Sequence, residues 1–174
     1  MSAVVLAVSL FCTEPLRAAG PEKQASDTRG PSLVDSVRFK QPVTLCGVTL
    51  PLDRAPVRER LEKEMLLSLW DRPQVLLWLK RSGRYFPLIE KELAAAGLPD
   101  DLKYVPVVES GLRPHASSSK RAVGYWQFLK STGRRYGLRV DSNVDERRNI
   151  EKSTRAACRY LKDLNKALDD YVLA

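Results

Sequence analysis

The chain has 174 residues, 44% of them hydrophobic and 29% charged, with a formal net charge of +8. That is length and apolar content for one ordinary domain with tails. The positive balance calls for an anionic partner, but the Lys and Arg residues are scattered as KR, RR and RxR pairs with no basic block, so nucleic acid is not expected. A single histidine, His115, and three cysteines without zinc-ligand spacing exclude a multi-histidine centre, and neither metal nor cofactor is expected.

Residues 1–19 contain an apolar run of about signal-peptide length followed by small residues near Ala18 and Ala19, and they read as an export signal although no Lys or Arg precedes the run. The run is too short for a stable transmembrane anchor. Cys12 follows it, yet Phe11 is bulkier than the small residue that precedes a lipidated cysteine. Peripheral membrane association is left open. Residues 20–52 read as a linker rich in Pro, Gly, Ser and charge, followed by a short extended segment around Val43, Leu45, Val48 and Leu50 that Pro42 and Gly47 interrupt. Cys46 and Cys158 are candidates for one disulfide in an oxidising compartment, although nothing in the sequence brings them together.

Residues 53–174 are helical in pattern. Pro56 suits the first turn of a helix whose apolar face holds Leu61, Met65, Leu66 and Leu69. Asp71 and Pro73 read as cap and first turn of a second helix carrying Leu76, Leu77 and Trp78, and a third is predicted from about Tyr85 to Ala96, closed by Gly97. Pro99 opens a fourth that ends at Glu109-Ser110, in which Pro106 is expected to free the carbonyl of Leu102 and kink the backbone. A basic, Ser-rich loop from Arg113 to Val123 leads to a short helix predicted from Gly124 through Phe128. The last helix begins near Asn149, with Ile150, Ala157, Tyr160, Leu161, Leu164 and Leu168 on its core face. The fold class is all-α.

Glu109 breaks this pattern, because Leu102, Val105, Glu109 and Leu112 recur at helical spacing and place a carboxylate on an apolar stripe. A desolvated carboxylate has a raised pKa, and an acid that stays protonated near neutral pH can protonate a leaving glycosidic oxygen. A surface ion pair with Arg113 is the structural alternative. Gly111 and Pro114 argue against it by taking Arg113 out of helical register. Ser117, Ser118 and Ser119 lie in a polar loop without the strand-to-helix elbow of a serine nucleophile.

The ordered motifs Glu109-Ser110, Gly124-Tyr125-Trp126-Gln127, Ser131 to Gly137, Asn149-Ile150-Glu151 and Ala157 to Leu161 resemble those of the lytic transglycosylases of the soluble-transglycosylase type. The resemblance implies a lysozyme-like domain. It further implies non-hydrolytic cleavage of the β-1,4 bond between N-acetylmuramic acid and N-acetylglucosamine, with Glu109 as general acid and then base. Ser110, Tyr125, Gln127 and Tyr160 are the implied substrate-binding positions. The implied partner is the peptidoglycan glycan strand in the periplasm or envelope of a bacterium, with a monomer acting alone. A goose-type lysozyme hydrolase is the alternative, with Asp141 or Asp145 as second carboxylate. A wall-binding module without turnover is another.

The chain also departs from the family pattern. Phe128-Leu129-Lys130 stands where Phe-Met-Pro is common, which removes a helix-starting proline. The family's later helix with an Ala-Tyr-Asn-x-Gly motif has no counterpart before the chain ends at Tyr171 to Ala174. The expectation is a domain incomplete at its carboxy end, marginally stable and weak in catalysis.

Overall fold

The computed structural model describes residue 32, residues 36–39 and residues 41–168. The export signal, the start of the linker and the chain end from 169 onward fall outside the described residues. Thr44–Leu45 (β1) and Val48–Thr49 (β2) pair antiparallel, with Thr44 opposite Thr49 and Leu45 opposite Val48. Both turn residues, Cys46 and Gly47, have positive φ (51° and 82°), the combination a two-residue hairpin of the I′ kind needs. Asp101 accepts a hydrogen bond from the Cys46 N–H at 2.6 Å, and Val43 and Leu45 are buried in the core. The expected extended segment is thus a hairpin fastened to the helices.

Helix α1 spans Ala55–Trp70 with proline in its first turn, and α2 spans Arg72–Ala95. Asp71 separates them, its carboxylate accepting from the Gln74 N–H at 3.2 Å as an N-cap. The second and third helices predicted from sequence are one 24-residue helix, which runs straight through Gly83 and Pro87. Pro87 removes the bond that the Gly83 carbonyl would accept. Burial of Ser82, Phe86, Ile89 and Leu93 on one face holds the two halves in line, and each fully buried Ile or Leu contributes about 1.5–3 kcal/mol. The helix ends as predicted at Gly97, where φ is 64° and the Leu98 N–H reaches the Leu93 carbonyl at 3.0 Å.

Asp100–Tyr104 form a 3-10 helix that passes directly into α3, Val105–Ser110. The expected kink at Pro106 is instead this junction. Proline sits in the first turn of α3, where no N–H is needed, and the Leu102 carbonyl accepts from the Val105 N–H. Helix α4 spans Lys130–Arg135, a 3-10 turn spans Glu146–Arg148, and α5 spans Ile150–Leu168. Asn149 caps α5, accepting from the Lys152 N–H at 2.9 Å.

Small buried residues Ser153, Thr154, Ala156 and Ala157 let α5 pack along α2, where Arg155 makes a two-pronged pair with Glu92 at 3.0 and 3.1 Å. No disulfide joins Cys46 to Cys158. The Cys158 thiol is buried against the Glu92 carbonyl, and desolvation pushes its pKa up to about 11. Of the face predicted for α5, Ala157 and Leu161 are buried, Tyr160 and Leu164 are half-buried, and Leu168 is exposed. The described fold is predominantly helical, with one two-stranded ribbon.

Candidate active site

Helix α3 is short because its carboxy end is capped twice by left-handed backbone, at Gly111 (φ 59°) and Leu112 (φ 56°). The Gly111 N–H donates to the Val107 carbonyl at 2.8 Å and the Leu112 N–H to that of Pro106 at 3.1 Å. Leu112 turns into the core beyond the cap, and Leu102 belongs to the preceding 3-10 helix. The stripe read from sequence is therefore not one helical face. Glu109, one residue before the end of α3, opens onto a cleft.

That cleft has a volume of about 440 Å³ and is lined by Val105 and Glu109 from α3, Trp126 to Leu129, Thr132 from α4, and Ala157, Tyr160, Leu161 and Leu164 from α5. Glu109 has no ion pair among the described residues, and partial desolvation raises its pKa above the ordinary carboxylate value. The alternative pair with Arg113 does not form. Arg113 Nε donates instead to the Ser110 carbonyl at 3.0 Å. Among the described lining residues Glu109 is the one carboxylate.

Ser110 is only 3% exposed and does not line the cleft. Its Oγ lies 2.9 Å from the Pro106 carbonyl and 2.8 Å from that of Tyr125, which ties the end of α3 to the facing turn. Arg81 of α2 adds a second tie from outside the helix, donating to the Gly111 carbonyl at 2.8 Å. The end of α3 that carries Glu109 is thus held by two other elements, the facing turn and α2.

The short helix predicted from Gly124 is a tight turn instead, closed by the Val123–Phe128 bridge. Helical spacing of aromatics misleads here, because Gly124 (φ 84°) and Gln127 (φ 48°) both take left-handed backbone. A Cβ at Gly124 would fall 1.9 Å from the Arg147 carbonyl oxygen. Gly124→Ala is expected to lower stability by more than about 2 kcal/mol in chemical denaturation. Gly137→Ala, at a similar φ of 86° but facing only the end of the Arg159 side chain at 3.3 Å, should cost less than half of that. Equal losses at the two glycines would show that the close approach is not what excludes a side chain.

The turn sorts its side chains. Tyr125 is buried edge-on against Tyr85, ring centroids 5.1 Å apart, and is not among the cleft-lining residues. Trp126 is buried, its Nε1 donating to Thr154 Oγ1 at 3.0 Å, and it also lines the cleft. Gln127 lines the cleft too. Its Nε2 donates to the carbonyls of Ala116 (3.2 Å) and Gly124 (2.9 Å), so Oε1 is the atom with capacity for a ligand. Tyr160 lies at the cleft wall, its ring 6.0 Å from Phe128 and 5.3 Å from Tyr136.

Asp141 and Asp145 are committed elsewhere. Arg139 and the N–H groups of Asn143 and Val144 hold the Asp141 carboxyl down to about 2, and Arg147 holds that of Asp145 below its usual range. Neither lines the cleft. Arg147 is the residue that sequence reading missed. Its side chain, 8% exposed, grips Asp145 with two 2.8 Å bonds and donates Nη1 to the carbonyls of Phe128 (3.0 Å) and Arg121 (3.2 Å). Its loop has no periodicity that could have singled it out. Leu129 supplies an extended N-cap position and α4 forms with Lys130 in the place of the expected proline.

Residues 86–174, just over half of the chain, match the Transglycosylase SLT domain. Over 94 residues the chain is 40% identical to membrane-bound lytic murein transglycosylase D of Escherichia coli (strain K12), covering 53% of this chain and 21% of that protein. It is 30% identical over 96 residues to a protein of Alteromonas sp. (strain M-1) named for tributyltin chloride resistance, covering 54% and 46% of the two chains. With endo-type membrane-bound lytic murein transglycosylase A of Salmonella paratyphi B it shares 33% identity over 92 residues, or 49% and 45% of the two. The matches thus span from about a fifth to just under half of these relatives' length. The matched region runs from the middle of α2 through the acid-bearing helix and the Gln127 turn to α5, and by it the chain belongs to the transglycosylase SLT domain family.

Proposed function

We propose that this domain is a peptidoglycan lytic transglycosylase of the bacterial envelope, cleaving the β-1,4 bond from N-acetylmuramic acid to N-acetylglucosamine without water. The observation that carries the reading is a solitary carboxylate, Glu109, with a raised pKa in a cleft whose described walls offer no second one. An inverting hydrolase needs a base to activate water on the far side of the sugar, and a retaining one a nucleophile about 5 Å from the acid. One acid that is reused suits an intramolecular attack.

In the first step Glu109 gives its proton to the departing glycosidic oxygen, the C1–O bond breaks, and positive charge spreads over C1 and the ring oxygen of the muramic residue. The substrate's own acetamido group shields that charge. In the second step the Glu109 carboxylate takes the proton of the C6 hydroxyl as O6 bonds to C1, closing a 1,6-anhydro ring and restoring the acid. Gln127 Oε1 accepts from an acetamido N–H. Tyr160 offers ring and hydroxyl at the wall, while Ser110 and Tyr125 act from behind, fixing the turn. Activity requires protonated Glu109 and therefore falls as pH rises through its raised pKa.

Mass spectrometry of digested sacculi tests the proposal. Every new muramic end should be the anhydro form, lighter by one water than a hydrolysed end. New ends that are all reducing would identify a hydrolase.

A further inference from the structure

A groove of about 760 Å³, larger than the Glu109 cleft, lies where α1 meets α2. Leu66, Leu67, Leu69 and Trp70 line it, and none of them lines the cleft. Trp70 at the tip is 88% exposed, Leu67 53% and Leu76 58%, with Leu66, Leu77 and Leu79 exposed beside them. Asp71 alone separates the two helices, so the end of one and the start of the next are neighbours at this junction. Six large apolar side chains left in water within the fourteen residues from Leu66 to Leu79 exceed the scatter normal for a soluble surface.

Charge at this corner is one-sided on α2. From Arg72 to Tyr85 the helix carries Arg72, Lys80, Arg81 and Arg84 and no acid. Arg72, Lys80 and Arg84 are exposed, and none is in an ion pair among the described residues. On α1, Glu59, Glu62 and Lys63 border the groove, but two to three turns back from Trp70. Asp71 is occupied as the cap. An indole with leucines at the tip and, along the first half of α2, cations without acids is the pattern of an element that lies in a lipid headgroup layer with α2 toward the headgroups and the acids of α1 turned away. No helix among the described residues is long and apolar enough to cross a membrane.

We propose that the α1–α2 corner docks onto an anionic lipid bilayer, seating Trp70, Leu67 and Leu76 at the interface while Arg72, Lys80 and Arg84 face the headgroups. The site is independent of the glycan cleft. It leaves Glu109 free to work on a strand while the domain rests on the membrane.

The test is co-sedimentation of the full chain with phosphatidylcholine vesicles, with and without phosphatidylglycerol, followed by tryptophan fluorescence. Binding is expected only with the anionic lipid and should weaken with salt. Leu67→Gln/Trp70→Gln/Leu76→Gln and Arg72→Gln/Lys80→Gln/Arg84→Gln should each reduce it by about tenfold or more, since each charge near the surface contributes about fivefold. Circular dichroism checks their folding. A blue shift on binding should vanish in Trp70→Phe, a change too mild to unfold the chain, because of the other two tryptophans Trp126 is already buried and Trp78 is half-buried with its ring packed against the core. The proposal is overturned by absence of anionic-vesicle binding, or by a shift that persists in Trp70→Phe. It is equally overturned if both triple variants bind like the parent, which would assign binding to the amino-terminal run, or if the apolar triple merely dissolves a dimer, which would make the face a contact between copies.

Discussion

Glu109→Gln is expected to cut the release of soluble fragments from purified sacculi by at least about a hundredfold while sacculus binding persists. The amide keeps the shape of the side chain and cannot give up a proton, and positioned general acid catalysis is worth about 10²–10⁴-fold. The same substitution should raise the thermal midpoint at pH values above the folded-state pKa of Glu109. Desolvation raises that pKa, so the favourable contribution of Glu109 is full below the unfolded pKa and is lost as pH rises through the folded one. Above it the parent chain holds a carboxylate in a place that disfavours its charge. The gain in the variant should shrink toward acid pH, where the parent is protonated too. A variant that retains full turnover would end the mechanism, and one that is less stable than the parent above that pKa would show that the carboxylate serves the fold.

Arg147→Met carries the largest expected loss of stability, about 3–5 kcal/mol by chemical denaturation. Methionine fills much of the volume but leaves Asp145 without its two-pronged partner and strips the donor from the carbonyls of Phe128 and Arg121. Arg147→Lys should fall between, since an ammonium keeps the charge and cannot reach all three groups as a planar fork does. Arg147 holds the Asp145 carboxyl below its usual range, so this stabilisation is present above the unfolded pKa and is lost as pH falls through the lowered one. The gap between parent and variant should therefore narrow in acid. A loss under about 1 kcal/mol would mean that the buried pair is replaceable by apolar packing, as some are.

What the sequence revealed depended on whether a feature was local. The caps at Asp71, Gly97 and Gly111 and the start of the last helix at Asn149 were readable, because each follows from a residue's own backbone preference or hydrogen-bonding reach, whereas Glu109 stood out by the order of the motifs around it. Four readings failed. The stripe from Leu102 to Leu112 is broken by the 3-10 helix before Glu109 and the left-handed cap after it, and in the other three distant packing decided. Two helices are expected, parted between Trp78 and Tyr85, but the buried face through Ser82, Phe86 and Ile89 carries α2 across as one helix. Pro106 looks like a kink, yet the change from 3-10 to α puts it in a first turn. The aromatic run at Tyr125 to Phe128 looks helical, whereas Ser110 and Arg147, distant in sequence, hold it as a turn. The site followed the same division. Glu109, Gln127 and Tyr160 line the cleft, while Ser110 and Tyr125 lie behind its wall as scaffolding.

The loop before that turn has a use of its own. Ser118, Ser119 and Lys120 project as an exposed tip, closed by Ser118–Ala122 and Arg121–Ser118 backbone bonds, and Arg147 clamps its base at the Arg121 carbonyl. Strain introduced at the tip meets that clamp before it reaches Gln127. The tip is consequently the natural place in this domain to lengthen the chain, whether by evolutionary insertion that reaches for flanking peptide or by a reporter added at the bench, without retuning the acid.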